Sequence, residues 1–264
     1  MKIGVTQIIL GDMSLDESLS LCAEAGYDAL ELTFSASGKD LNIDMTASEL
    51  EGVAKRCADA GVTIAAVLGH YAERGNLLSP NAGEREACCR CLARALEIAG
   101  SLGTDAVLLH PGQLTVEGTY SRAWQDLVSA LRDLSSVAAQ HSAAIAVENV
   151  WNKFMLSPRE AVQLVDEIDS DWVGIYLDTA NMMAYGFPEH WIRDLGPRIK
   201  KVHLKDFVRR GSNWVDLMDG DTDWPTVMTE LRAIGYDGTL IHEVGGDHAQ
   251  QVEMAARMRR IIAL

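Results

Sequence analysis

With 264 residues and a formal net charge of −15, from 23 basic against 38 acidic side chains, the chain repels phosphodiester backbones at long range and shows no basic stripe, which argues against a nucleic-acid partner. Five cysteines without a CxxC pair fit a reducing compartment better than a disulfide scaffold, and no apolar run approaches the roughly 20 residues of a membrane span. Cys88, Cys89 and Cys91 crowd one helical segment and read as buried small side chains rather than a metal cluster, because Cys89 points away from the other two.

Met1 to Thr6 runs straight into an apolar strand, with neither a basic n-region nor a small-residue cleavage site, so the expected location is cytoplasmic. Apolar runs predict eight strands, at 3–8, 28–33, 62–68, 105–110, 143–148, 172–178, 199–204 and 238–243. Between them helical periodicity is clearest over 84–100, with Ala, Cys and Leu on one face, and over 120–140, where Trp124, Leu127, Val128, Leu131 and Leu134 face inward. Gly26, Gly61, Gly103 and Gly235 each stand shortly before a strand, at the left-handed helix end that glycine enters without steric cost. Asp223 is placed as the N-cap of the helix holding Trp224 and Pro225. Repeated βα units without a low-complexity linker predict an α/β fold with a parallel sheet in one domain, residues 1–264. A doubly wound open sheet would carry a GxGxxG loop after an early strand, and 5–12 has none, so a single (β/α)8 TIM barrel is expected instead.

Four predicted strands end on a side chain able to bind a metal: Glu148 after 144–147, Asp178 after 173–177, His203 after 199–202 and Glu243 after 239–242. The carboxyl ends of barrel strands converge on one mouth, so these four can share one ion. Three carboxylates and an imidazole form an oxygen-rich set suited to Mn2+ or Mg2+, with Zn2+ or Co2+ as alternatives. A lone strand-end carboxylate can equally cap a helix or join a surface ion pair; the repetition on strands five to eight argues for the metal. Strand alternation puts Lys205 on the inward side with His203, either within reach of a substrate or solvated, and turns His242 outward as a structural residue. His70 and His110, at the ends of strands three and four, read as hydrogen-bonded pocket-wall histidines or as ligands of a second ion.

With their surroundings, Val147-Glu-Asn-Val-Trp-Asn-Lys-Phe154, Tyr176-Leu-Asp-Thr-Ala-Asn181, Lys201-Val-His-Leu-Lys-Asp-Phe207 and Gly235-Tyr-Asp-Gly238, these residues resemble the xylose isomerase-like TIM barrels, specifically the sugar phosphate isomerase/epimerase group. The resemblance spans nearly the whole chain. It implies a divalent-metal-dependent enzyme acting on a small-molecule sugar or sugar phosphate, with 3-epimerisation of a ketose or ketose phosphate through a metal-bound enediolate as the leading activity. It assigns one ion, Mn2+ first, to Glu148, Asp178, His203 and Glu243, and gives proton transfer to Glu148 and Glu243. It also sets Arg209, six residues after the histidine, against substrate oxygens. Where the family often has histidine three residues after the metal-binding aspartate, this chain has Asn181, which can hydrogen-bond a hydroxyl but cannot titrate near neutrality. Lys153, Lys205, Arg209 and Arg210 are the candidate phosphate contacts, and Trp151 is a candidate for stacking on a sugar face or for packing. The same ligand set serves keto-polyol (inosose-type) dehydratases and aldose–ketose isomerases. A non-catalytic sugar-binding barrel is the alternative from another class. The group's DNA repair endonuclease branch needs further His and Asp ligands, several of which Asn181 and the histidine-free 216–224 remove. Exposed apolar helix faces would be the reason to expect a homo-oligomer.

Overall fold

In the computed structural model, which describes residues 1–34, 40–69 and 75–264, each of the eight apolar runs forms a strand. These are β1 (Lys2–Thr6), β2 (Ala29–Phe34), β3 (Thr63–Gly69), β4 (Ala106–Leu109), β5 (Ala144–Glu148), β6 (Val173–Asp178), β7 (Ile199–Leu204) and, after a short hairpin of β8 (Asp206–Val208) and β9 (Asn213–Val215), β10 (Thr239–His242). The eight longer-range strands pair in parallel and close in the order β1-β10-β7-β6-β5-β4-β3-β2, the expected TIM barrel. Helices α1 (Leu15–Ala25), α2 (Ala47–Asp59), α3 (Ala82–Leu102), α4 (Tyr120–His141), α5 (Pro158–Ile168), α6 (Pro188–Leu195), α7 (Trp224–Ala233) and α8 (His248–Ile262) alternate with them. No helix among the described residues is long and apolar enough to cross a membrane.

Local signals act where the sequence puts them. Ser14, Thr46 and Ser157 close capping boxes with Glu17, Glu49 and Glu160, and Asp223 accepts from the Thr226 backbone N–H as the N-cap of α7. Gly26, Gly61, Gly103 and Gly235 all have φ between 71° and 78°. Two expectations need correction. The first strand stops at Thr6 because Gln7 turns into a 3-10 helix, its side chain accepting from the Thr33 N–H at 3.1 Å. Cys88 is buried, but Cys89 and Cys91 are only half-buried, because α3 is long and its apolar stripe covers just part of its circumference.

The main core lies between the strands and the helices, and a smaller one fills the barrel with Ala29, Ala66, Leu68, Leu108, Ala146, Tyr176 and Ile241. Alanines on neighbouring strands leave space that the Tyr176 ring takes up. Among the described residues strand pairing is regular except at two places, where β3 carries one extra residue between the partners of Leu30 and Glu31, and β7 carries one between the partners of Ile175 and Tyr176. The second irregularity fixes what faces the mouth. Tyr176 pairs with Lys201 and Asp178 with His203, so Lys200 is the unpaired residue. A one-residue slip exchanges the two faces of a strand, and without it Val202 instead of His203 would point inward beside Asp178. Gly174 makes room for this: a Cβ there would lie 2.4 Å from the Arg198 carbonyl oxygen and 2.7 Å from the Lys200 side chain.

Candidate active site

Glu148, Asp178, His203 and Glu243 meet at the carboxyl-terminal mouth, with one ligand atom of each lying within 4.8 Å of the others. Each owes its position to the last residues of a strand or the first beyond it. Asn149 ties two of these strands together: its side-chain oxygen accepts from the Asp178 N–H at 2.9 Å and its amide donates to the Asp178 carbonyl at 3.1 Å. Asp178 Oδ1 accepts from the backbone N–H groups of Ala180 and Asn181, at 2.8 and 2.7 Å, which leaves Oδ2 for the mouth.

Sequence reasoning missed what lies beneath. Glu31, wholly buried on β2, receives a hydrogen bond from the Tyr176 hydroxyl on one oxygen and stands 3.0 Å from His203 Nε2 through the other. His203 Nδ1 thereby faces the mouth, 3.4 Å from Glu243 Oε2 and 3.6 Å from Glu148 Oε1. Nδ1 and Asp178 Oδ2 are both buried without a hydrogen-bond partner. Two orphaned buried ligand atoms of this kind, beside two more carboxylates, fit a divalent cation.

The electrostatics favour positive charge at the centre. Burial pushes the Glu148 carboxyl up to about 7, reinforced by the charge of Glu243 and opposed by His203. Glu243 is half-buried, and its desolvation acts to raise it, yet His203 and Lys205 outweigh that and hold it down to about 2. Burial acts to lower His203, but Glu31 and then the two mouth glutamates override it and raise its pKa. Lys205 shows the same balance: desolvation opposes its charge, and Asp178 and Glu243 raise its pKa nonetheless.

The structure brings Lys205 inward as alternation predicts, with Nζ donating to Glu243 Oε2 at 2.7 Å and lying 3.5 Å from Asp178 Oδ2. A cavity of ≈ 390 Å³ opens beside it, lined by Lys205, Trp214, Asp216, Glu243 and neighbouring backbone. Trp214, on β9, is a wall residue that the sequence reading did not single out; nothing marked so short a strand. Its ring lies 5.2 Å from that of Trp151, and each is about half exposed, at 46% and 49%. Trp151 is also anchored, its indole N–H donating to the Asn181 carbonyl at 2.6 Å, so packing and an open face coexist. Asn181 is buried at the same rim.

The remaining candidates divide. Arg209 donates to the Met183 carbonyl and lies over the Phe187 ring at 4.5 Å, so its guanidinium is held at the rim and not among the ligands. His110 is half-buried, accepts from the Gly112 N–H at 3.1 Å, and has its pKa lowered by burial. His70 lies outside the described residues. Lys153 and Arg210 are exposed. His242 turns outward as expected and is fully buried, 2.7 Å from the Tyr27 hydroxyl, with burial pushing its pKa down to about 3.

The sequence model of the xylose isomerase-like TIM barrel matches residues 19–262. The chain belongs to that family. Among its relatives is a 2-epi-5-epi-valiolone 7-phosphate 2-epimerase of an Actinoplanes species, 30% identical over 209 residues, spanning 78% of this chain and 72% of the relative. Another is an L-ribulose 3-epimerase of Mesorhizobium japonicum, 24% identical over 87% of this chain and 75% of the relative. In fold the xylose isomerase-like barrel resembles the crystal structure of a D-tagatose 3-epimerase-like protein, with a TM-score of 0.84 at 22% identity, covering 100% of this chain and 97% of the other.

Proposed function

We propose that this member of the family is a divalent-metal-dependent sugar or sugar-phosphate epimerase whose reaction is the 3-epimerisation of a ketose or ketose phosphate. The carrying observation is the pair Glu148 and Glu243, which flank His203 Nδ1 in one buried mouth with Asp178. Relatives named as 2- and 3-epimerases support the same class.

Inverting a carbon next to a ketone requires a proton to leave one face and another to arrive on the opposite one, and the oxygen charge that develops between must be stabilised. A divalent ion held by Glu148, Asp178, His203 and Glu243, Mn2+ first with Mg2+, Co2+ or Zn2+ as alternatives, would supply that stabilisation as a Lewis acid. One glutamate removes the C3 proton and the other returns a proton to the far face, with roles exchanged in the reverse direction. Before a cation is bound their surroundings are unequal, burial raising Glu148 while His203 and Lys205 lower Glu243. Lys205, Asn181, His110 and Trp151 are assigned to substrate contact, with Arg209 at the rim and His70 completing the set. Trp151 and Trp214 offer ring faces to the apolar side of a sugar. Residues 1–264 act as one catalytic domain in a reducing, cytoplasmic setting, consistent with five cysteines that form no disulfide.

The test is product identification by NMR after incubating Mn2+-loaded protein with a panel of free and phosphorylated ketoses. A C3 epimer is expected. An enone would indicate a keto-polyol dehydratase and an aldose an aldose–ketose isomerase; no product from sugars shown to bind would leave a sugar-binding barrel in place of an enzyme.

A further inference from the structure

Glu31 sits one strand layer below the mouth and both of its carboxylate oxygens are occupied. Oε1 accepts from the Tyr176 hydroxyl and Oε2 faces His203 Nε2 at 3.0 Å. All three side chains are fully buried, so no water competes for these bonds. Neither oxygen is free to reach a metal or a substrate in the cavity above. We propose that Glu31 is a positioning residue, which with Tyr176 fixes the ring and tautomer of His203 so that the Nδ1 lone pair faces the cation site. The inference rests on the metal-site reading proposed above.

Four observations converge on this role. A carboxylate accepts and does not donate, so the contact with Oε2 makes Nε2 the protonated nitrogen and leaves Nδ1 as the electron-pair donor. Nδ1 is indeed the nitrogen left without a hydrogen-bond partner, between Glu148 and Glu243. The Tyr176 ring packs on the imidazole, centroids 4.4 Å apart and planes at 57°, so the ring is held on its face as well as at its edge. The barrel's two register irregularities lie at the pairs that follow Leu30 and Ile175, the places where Glu31 and Tyr176 enter the interior. Such irregularities re-aim side chains, and here both adjoin partners of one histidine. Orienting partners of this kind are worth about 10- to 100-fold in metal affinity.

The experiment measures Mn2+ binding by calorimetry for wild type, Glu31→Gln and Tyr176→Phe, together with the melting temperature of each metal-free protein. Glutamine keeps the size of glutamate but cannot accept from both Tyr176 and His203 through two oxygens. Glu31→Gln is expected to weaken Mn2+ about 10- to 100-fold. Tyr176→Phe, which removes one hydroxyl and keeps the ring, is expected to weaken it about 2- to 10-fold. In the diamagnetic Zn2+-loaded wild type, long-range 1H–15N spectra should show His203 protonated at Nε2. A lower metal-free melting temperature with Mn2+ affinity within twofold of wild type would mean a structural role only and would overturn the proposal. If Glu31→Gln does not fold, Tyr176→Phe decides by the same criterion. Wild-type protein that binds neither Mn2+ nor Zn2+ would overturn the metal reading itself, a failure distinguishable from unaltered binding by the variants.

Discussion

Asp178 divides its carboxylate between fold and site: Oδ1 closes the turn after β6 through two backbone N–H groups, and Oδ2 stands in the mouth without a hydrogen bond, 3.5 Å from Lys205 Nζ. Glu148 and Glu243 have no such backbone duty to Ala180 or Asn181, and their exchange for glutamine is the cleaner probe of chemistry. Glu148→Gln is expected to lower turnover by about 10²- to 10⁴-fold, the range for loss of a positioned acid–base group, while sugar affinity changes far less. Turnover falling less than tenfold would remove Glu148 from proton transfer. The free thiols give an independent check on burial. Burial raises Cys22 to about 12 and Cys57 to about 11, so at pH 8 their thiolate fraction is very small. Alkylation of folded protein at pH 8 should therefore spare Cys22 and Cys57 and modify Cys91 or Cys89 first; fast labelling of Cys22 would show that α1 is not packed as described. The metal-capable residues could be read from the sequence because each stands at the end of a predicted strand, one per successive βα unit. Glu31 could not: in Ala29-Leu-Glu-Leu-Thr33 it alternates with apolar neighbours as a solvent-facing residue would, and only barrel closure turns that face into an interior.

The strands were legible from their apolar runs and several helix ends from their glycines and from Asp223, but register was not, because one unpaired residue leaves no compositional mark. Lys200 is that residue in β7, and the space for it comes from Gly174 across the β6–β7 pair. Gly174→Ala would press a methyl group onto the Arg198 carbonyl and the Lys200 side chain. Urea unfolding should show a loss of about 1–3 kcal/mol for this overpacking, accompanied by weaker Mn2+ binding because His203 depends on the same register. A variant as stable as wild type with unchanged Mn2+ affinity would show that the bulge does not govern the site. The β8–β9 hairpin escaped notice for a related reason: its strands are three residues long. Its order comes from Asp206, a buried carboxylate that accepts from the Met218 and Gly220 N–H groups, the Thr222 hydroxyl and the Trp224 indole. Gly220 allows the approach, since a Cβ there would lie 2.2 Å from Asp206 Oδ1. The segment after β7, in which the sequence marked only the histidine-free 216–224 and the Asp223 N-cap, thus folds partly around Asp206 and carries Trp214 to the cavity.

Barrel closure is what converts separate strand ends into one site, and it was predictable from eight apolar runs with helical segments between them. The chemistry at the mouth was predictable only as a ligand set; its orientation depends on Glu31, Tyr176 and a register shift that no local pattern announces. Activity on this reading requires a single cation held by residues from four strands. Electron paramagnetic resonance of free Mn2+ during titration of the protein tests this most directly, comparing wild type with Asp178→Ala and His203→Ala. One tight site per chain, weakened at least about 100-fold in either variant with the circular dichroism of the fold retained, is the result expected for loss of a ligand that touches the ion. Absence of a stoichiometric site in wild type, or a site whose affinity neither substitution changes, would contradict the account.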